Sequence, residues 1–371
     1  MNTAFANLVA ASLKTERFTL VDLGCSGGIE PVWRLFGDRF RAVGFDASVA
    51  ECRRLAAAET NSNVRYVPGF IDIPPQHPFA KYSEGKPSMA HNSFPRSSAA
   101  WALEMRAERL KSASLHEKLQ HNAWDLTKLA DRDKPIFVPD VLREIRYDDV
   151  DLLKLDIDGP DYRVLNSLDS ALDELGLLAA RLEVNMYGGT GDTLHTFNNT
   201  DRFMREQGFE LVALESRCYS MRALPSTFAI TMPAQTTTGR IFQAEAFYAR
   251  DPAGADWSAL AATMRPEKLL KLAAIFSIWN QPDGAAEILL SFREKLSPVL
   301  DIDAALDLLA AQSQPDTATP LSYRDYVALF GAESPRFYPP PPPPAPTLRQ
   351  RLAAAWRAYV SPNEAFSPRR Q

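Results

Sequence analysis

A glycine-rich turn and a more distant aspartate have the types and spacing to form a ligand crevice. Residues 21–28 read VDLGCSGG. Glycines let a backbone turn sharply against a ligand, and turn amides bind polar or anionic atoms. Asp46 lies 22 residues after Gly24, where a carboxylate could accept hydrogen bonds from both hydroxyls of a ribose. The pair predicts a nucleoside-binding crevice; the alternative is an ordinary turn followed by a surface aspartate that caps a helix.

A second group of carboxylates follows an apolar run in the middle of the chain. Residues 150–155 (VDLLKL) lead into Asp156, Asp158 and Asp161. Acids this close raise one another's proton affinity. Asp156, Asp158 or a histidine of residues 74–135 could act as a general base toward a hydroxyl. The same carboxylates could equally hold a divalent cation that orients a diol. For Asp158 and Asp161, a charge cluster that complements a helix N-terminus is a third interpretation.

Seven short apolar runs supply the strands that would position these groups. They alternate with helical patterns, which is typical of a mostly parallel sheet covered by helices on both faces. Ser48 and Glu51 have the spacing of a capping box and predict a helix that begins after Asp46. The predicted fold class is α/β, with a Rossmann-like, seven-stranded sheet. The predicted strands are 18–23, 40–45, 63–67, 150–155, 178–184, 209–214 and 245–249.

The pattern along the chain predicts a division into domains. Strands and helices fill residues 1–250, and short helical segments without strands predict a small helical subdomain over 255–334. A run of six prolines marks a stiff, extended linker over 335–346. Residues 347–371 form a basic tail, which is either a solvated extension or a tether that docks on a protein or an anionic membrane surface.

Residues 74–135 interrupt the alternation and predict an insertion, a candidate lid around a helix at about 99–110. Four of the five histidines lie in it, namely His77, His91, His116 and His121. Their spacing matches no metal-binding pattern, so scattered surface histidines are the expectation.

Composition excludes several classes of function. The formal net charge of −5 and the pI of about 5.7 make nucleic acid a poor partner. Three cysteines without a CxxC pair argue against a disulfide framework and a zinc knuckle, and fit a reducing cytoplasm. The chain has neither a basic start before an apolar stretch nor a run of ~18 apolar residues, so we expect a cytoplasmic protein without a transmembrane segment.

Three of these segments together resemble the FkbM-type branch of class I S-adenosylmethionine-dependent methyltransferases. They are VDLGCSGG, the strand end GFD, and residues 140–165, DVLREIRYDDVDLLKLDIDGPDYRVL. Family members typically show an apolar strand that runs into K-I-D-V-E-G-A-E and then V-L; residues 154–161 here read KLDIDGPD. The resemblance covers about residues 15 to 250. The chain departs from the family pattern in its long insertion, in Asp158 where the family has Glu, and in Pro160-Asp161 where the family has Ala-Glu.

The resemblance implies S-adenosylmethionine as cofactor and assigns a role to each position. Asp22 would fix the glycine turn or meet the methionine amino group, and Asp46 and Ala47 would hold the ribose. Asp72 would either accept a hydrogen bond from the adenine amino group or be a loop carboxylate with no such role. Cys25 itself has no base or redox partner in the sequence, and its side chain is interpreted as small and packed. The residues expected beneath methionine and ribose are Gly24, Cys25, Ser26, Gly27 and Gly28.

The activity that the resemblance implies is methyl transfer to oxygen, with a sugar or glycan hydroxyl as acceptor. Glu183 and Asn185 end a predicted strand and are expected to contact the acceptor; a structural pairing of Glu183 with Arg181 or Lys154 is the competing account. A non-catalytic nucleoside-binding or assembly module is the alternative from another class. An NAD-dependent oxidoreductase is disfavoured because Ser26 stands where the dinucleotide motif needs its second glycine.

Overall fold

A computed structural model of the chain describes most of its residues, and each structural statement below refers to them. The described residues are 3–82, 99–114, 130–131, 134–169, 171–231, 233–254, 258–315, 317–339, 349–350, 352–353 and 356.

The strands form one seven-stranded sheet, which confirms the predicted fold class. The order is β3-β2-β1-β4-β5-β7-β6, parallel except for β7, which is antiparallel to both of its neighbours. All seven predicted strands are present; β1 has the predicted ends, and each of the others is shifted at one end or both. The strands are β1 Phe18–Leu23, β2 Phe40–Asp46, β3 Val64–Pro68, β4 Leu152–Leu155, β5 Ala179–Asn185, β6 Glu210–Tyr219 and β7 Arg240–Ala249.

Helices cover both faces of the sheet and continue beyond its last strand. In the described part of the chain they are α1 Ala4–Ser12, α2 Val49–Ala58, α3 Ala99–Ser112, α4 Val138–Glu144, α5 Asp161–Leu168, α6 Ala171–Glu174, α7 Phe197–Glu206, α8 Ser258–Thr263, α9 Pro266–Ile278, α10 Pro282–Ser291, α11 Arg293–Leu296, α12 Ile302–Gln312 and α13 Tyr323–Ala332. Three short 3₁₀ segments accompany them, at Pro31–Arg39, Pro78–Tyr82 and Ser334–Phe337. Residues 282–296 form two helices, α10 and α11, because Phe292 leaves helical geometry at φ −116°.

Two hydrophobic cores lie on opposite faces of the sheet. Because successive strand residues point to opposite faces, Leu20 packs with α1, α9, α10 and α12, whereas its neighbour Val21 packs with α4, α5 and α7. The helices of residues 266–312 therefore share a core with the sheet. The predicted boundary near residue 250 separates strands from helices but lies inside one compact unit, Met1–Tyr323; Arg324–Gln371 form a second unit.

Helix α9 is joined to the start of β4 by buried ion pairs. Asp151 is fully buried, and its carboxylate lies 2.8 Å from Lys268 Nζ and 3.2 Å from Lys271 Nζ. It also accepts a hydrogen bond of 2.8 Å from the amide of Thr19. Both charges of each pair are removed from water, so the removal of one partner would leave the other uncompensated.

The insertion has a closed base next to the predicted ribose site. Ile71 and Ile136 form a parallel bridge, with a 2.7 Å hydrogen bond from Ile136 N to Phe70 O. Near the C-terminal end of the insertion, Ala130 N donates a hydrogen bond of 2.8 Å to Ala47 O. The predicted helix is present as α3, and its lid role stays a prediction. Of the four insertion histidines, three lie outside the described residues: His91, His116 and His121.

Most of the predicted linker and tail, 340–348 and nearly all residues beyond, also lies outside the described residues. Among the helices that are described, none combines the length and the apolar character needed to cross a membrane.

Candidate functional site

The glycine turn is shaped by a close approach of two backbones. Gly24 has φ +91°, and a Cβ at this position would lie 1.7 Å from the carbonyl oxygen of Asp156. The amides of Gly24 and Cys25 both donate to Phe45 O, at 2.9 and 3.0 Å, which fixes the turn to the end of β2. Only glycine fits here, and its small size brings the turn against the end of β4.

Asp46 stands at the end of β2 beside the turn, as predicted. Its carboxylate accepts hydrogen bonds from Ser26 Oγ at 2.6 Å and from Ser48 N at 2.7 Å. Ser48 also caps α2 by accepting from Glu51 N, as its spacing predicts. A carboxylate offers about four lone-pair sites, so Asp46 keeps acceptor capacity for a ribose diol.

Glu51 is a residue of this site that the sequence reasoning missed. It is 3 % exposed, and its Oε1 accepts from Gly27 N at 3.3 Å. The capping-box spacing placed Glu51 at the helix start. Its carboxylate accepts a hydrogen bond from Gly27 N in the turn, whereas the backbone amide of Ser48 donates to Asp46.

Asp22 and Lys154 form a buried pair beneath the turn. Lys154 Nζ lies 3.0 Å from Asp22 Oδ1 and 3.0 Å from Gly24 O. Burial raises the pKa of Asp22, and the charge of Lys154 opposes this rise. Of the two roles that the resemblance implies for Asp22, these contacts favour the fixing of the turn.

Three carboxylates meet beside the turn at the ends of β4 and β5. One oxygen each of Asp156, Asp158 and Glu183 lies within 4.8 Å of the others. Burial, the charge of Asp156 and a hydrogen bond with it raise the pKa of Glu183 to about 10. Burial disfavours the charge on Asp156, but the hydrogen bond from Glu183 and the charge of Lys154 lower its pKa below the usual value. Near neutral pH the pair therefore holds one proton and one negative charge.

The loop after β4 owes its shape to Asp161. Its buried carboxylate accepts from Ile157 N and Gly159 N, each at 2.9 Å. Asp161 is therefore a structural residue at the start of α5, which agrees with the helix N-terminal interpretation. Asp158 takes a left-handed φ of +56° in this loop, and partial burial with the charges of Asp156 and Asp161 raises its pKa.

Glu183 pairs with Arg217 rather than with either partner expected from the sequence. Arg217 Nη1 on β6 lies 3.0 Å from Glu183 Oε1, and Nη2 contacts Glu245 on β7. Arg181, one of the expected partners, instead lies 3.1 Å from Glu245 and contacts Glu30, while Lys154 is held by Asp22. The alternative pairing of Glu183 with Arg181 or Lys154 is therefore wrong.

Asn185 lies at the end of β5 with His195, a histidine that the sequence reasoning did not single out. His195 Nε2 lies 2.9 Å from the carbonyl oxygen of Glu183, and Asn185 Nδ2 donates to His195 O at 3.3 Å. Asn185 Oδ1 is buried without a hydrogen-bond partner. This oxygen has almost no accessible surface, so its lack of a partner does not bear on an acceptor, and the acceptor contact of Asn185 stays a prediction.

Asp72 and Cys25 have partners within the chain. Asp72 forms a salt bridge with Arg163 on α5 and accepts from Ile73 N at 2.8 Å. The Cys25 side chain is fully buried against Cys52, in agreement with a packed side chain, so that only its backbone is left for a ligand.

The strand order, with β7 antiparallel between β5 and β6, is that of class I methyltransferases. It places the glycine turn, Asp46 and the three carboxylates at the carboxyl ends of the parallel strands. Residues 70–211 match the family model described as Methyltransferase FkbM domain, which confirms the resemblance over that segment. Fold and family match are those of S-adenosylmethionine-dependent methyltransferases. No curated protein sequence matches the chain.

Solved structures give only distant similarity. A TehB-like SAM-dependent methyltransferase from Corynebacterium glutamicum is 10% identical with a TM-score of 0.26, over 66% of this chain and 87% of that one. A SAM-dependent methyltransferase from Aquifex aeolicus is 7% identical with a TM-score of 0.26, over 67% and 89%. At this level neither adds support to the fold, which rests on the strand order.

Proposed function

We propose that this protein transfers the methyl group of S-adenosylmethionine to a hydroxyl oxygen of a sugar or glycan. The observation that supports it most is the position of Asp156. Its carbonyl oxygen lies against Gly24 of the predicted donor crevice, and its carboxylate lies with those of Asp158 and Glu183. Donor crevice and candidate bases thus meet at one residue. The sugar or glycan class of the acceptor comes from the family resemblance.

The residues of the turn fit the methyl donor, since the glycines leave room for a ligand and Asp46 keeps acceptor capacity. When bound, S-adenosylmethionine supplies an electrophilic methyl carbon on a sulfonium sulfur that leaves neutral. The turn and the end of β4 would hold donor and acceptor in line, and orientation of this kind contributes ~7–11 kcal/mol in favourable cases.

Proton removal from the acceptor is the role proposed for Asp156. Glu183 carries a proton and donates to Asp156, which keeps the Asp156 carboxylate charged. Asp156 would accept the hydroxyl proton as the oxygen attacks, and Asn185, at the end of the neighbouring strand β5, would contact the acceptor. General base catalysis contributes about 10²–10⁴-fold.

A divalent cation is a second hypothesis for the same carboxylates. Aspartate and glutamate oxygens are the ligands that Mg²⁺ and Ca²⁺ prefer, and three such oxygens lie within 4.8 Å of one another. Transfer measured in EDTA, and again after Mg²⁺ is added back, would decide whether these groups act through a cation.

Calorimetry and a labelled-methyl assay together test the proposed function. S-adenosylhomocysteine is expected to bind and NAD is not, and Asp46→Ala should weaken the binding. Incubation of protein, labelled donor and fractionated cell extract is expected to label a carbohydrate, with a loss of about 10²–10⁴-fold in Asp156→Asn. If Asp156→Asn kept the full rate, its role as base would be refuted. Donor binding without transfer to any fraction would favour a non-catalytic module.

A further inference from the structure

One partly exposed ion pair lies beside the glycine turn and is used by none of the roles described so far. Glu30 follows Gly28 by two residues, and Arg181 lies on β5; the two side chains are in contact. Their side chains are 40% and 21% exposed, so the pair is accessible to solvent. The contact reaches from the segment after the turn to β5, on the far side of β4.

The neighbouring charges on this face are already engaged. Strand register aligns Asp22 with Lys154 and Lys154 with Arg181, which places the three side chains in one row. Lys154 is held by Asp22 and by Gly24 O, and the Asp22 side chain is only 3% exposed. Lys154 and Arg181 are similarly exposed, at 19% and 21%, but the acidic partner of Lys154 is buried, whereas Glu30, a partner of Arg181, is 40% exposed.

The chemistry of the pair matches a zwitterion. A guanidinium has five N–H donors; Arg181 uses Nη1 toward Glu30 and Nε toward Glu245 at 3.1 Å, which leaves donors for a carboxylate. The Glu30 carboxylate has more acceptor sites than its one contact with Arg181 uses. A cation and an anion side by side are complementary to the α-carboxylate and α-ammonium of an amino acid.

We propose that Arg181 binds the α-carboxylate and Glu30 the α-ammonium group of the methionine portion of the methyl donor. This inference rests on the proposed function, because it concerns the same crevice. It moves the recognition of the amino group from Asp22, which Lys154 engages, to Glu30. The two residues are thus donor-positioning residues at the end of the crevice next to β5.

Two ligands that differ only in the amino acid portion test the proposal. S-adenosylhomocysteine carries both charged groups, whereas 5′-methylthioadenosine carries the adenosine and the thioether without them. Calorimetry with Arg181→Met and Glu30→Gln is expected to show about 10- to 100-fold weaker binding of S-adenosylhomocysteine, the size of one or two lost charge-assisted hydrogen bonds. Binding of 5′-methylthioadenosine should stay within about twofold. Glu30→Gln is nearly isosteric at a partly exposed position, so it tests the proposal even if Arg181→Met is unstable.

Arg205→Met is the matched control, because Arg205 pairs with Asp201 at 2.9 Å on α7 and faces solvent. It should change neither affinity. An equal loss for both ligands would show that the ion pair merely supports the turn, and unchanged affinities would show that it has no role in donor binding; either result overturns the inference. If the unmodified protein bound neither ligand, the proposed function itself would be refuted.

Discussion

The proton shared by Asp156 and Glu183 makes the stability of the fold depend on pH in a way that one substitution should remove. Glu183 is 6% exposed, and its pKa is raised from 4.5 to about 10 in the folded state. Between these values the folded state keeps the proton and the unfolded state has lost it. Stability therefore falls as pH rises through this window.

Glu183→Gln keeps a hydrogen-bond donor toward Asp156 but has no proton to exchange. A difference of one bound proton corresponds to about 1.4 kcal/mol for each pH unit. Between about pH 6 and pH 9 the variant should therefore gain about 4 kcal/mol in unfolding free energy relative to the unmodified protein.

We would measure this difference by equilibrium urea unfolding at several pH values. EDTA keeps cations away from the carboxylates of Asp156, Asp158 and Glu183. Titrating groups that do not contact Glu183 are common to both proteins and cancel in the comparison. Glu210→Gln, at an exposed position of β6, is the control and should give a difference that does not change with pH. A constant difference for Glu183→Gln as well would refute the shared proton.

Two further substitutions test the turn and the buried ion pairs. Gly24→Ala should abolish binding of S-adenosylhomocysteine in calorimetry, because its Cβ would lie 1.7 Å from a backbone oxygen; Gly159→Ala, whose Cβ would meet no atom within 4 Å, should fold and bind normally. Lys271→Met should lower the unfolding free energy by about 3–5 kcal/mol, since it leaves the charge of Asp151 undercompensated. Lys111→Met removes an exposed ion pair and should change the unfolding free energy by less than about 1 kcal/mol. Equal losses of unfolding free energy in the two lysine variants would contradict the role of burial.

The sheet could be predicted because its strands are buried and therefore apolar. All seven runs were found, but β6 and β7 extend further than predicted, to Tyr219 and from Arg240. The extension of β6 carries Glu215, Ser216 and Arg217, which have no strand signal in an edge strand exposed to solvent. Arg217, the partner of Glu183, lies in this extension, so the sequence could not reveal the pair.

The candidate site was predicted best where strand ends and turns determine it. Asp46 and the glycine turn follow directly from local pattern, and the structure brings them together with Asp156. Glu51 and Glu30 could not be assigned in advance, because their roles depend on side-chain direction across neighbouring elements. The same holds for the helices of residues 266–312, whose short apolar stripes do not reveal that they share a core with the sheet.

The bridge between Ile71 and Ile136 has a consequence for how acceptor choice could diversify. The chain enters and leaves the insertion at adjacent positions, so a longer or shorter insertion changes the entropy of closure only slowly. Exchange of the intervening residues for those of a relative should leave the strand register and the donor crevice in place. One scaffold could in this way be fitted to many acceptors while its reaction with the methyl donor stays the same.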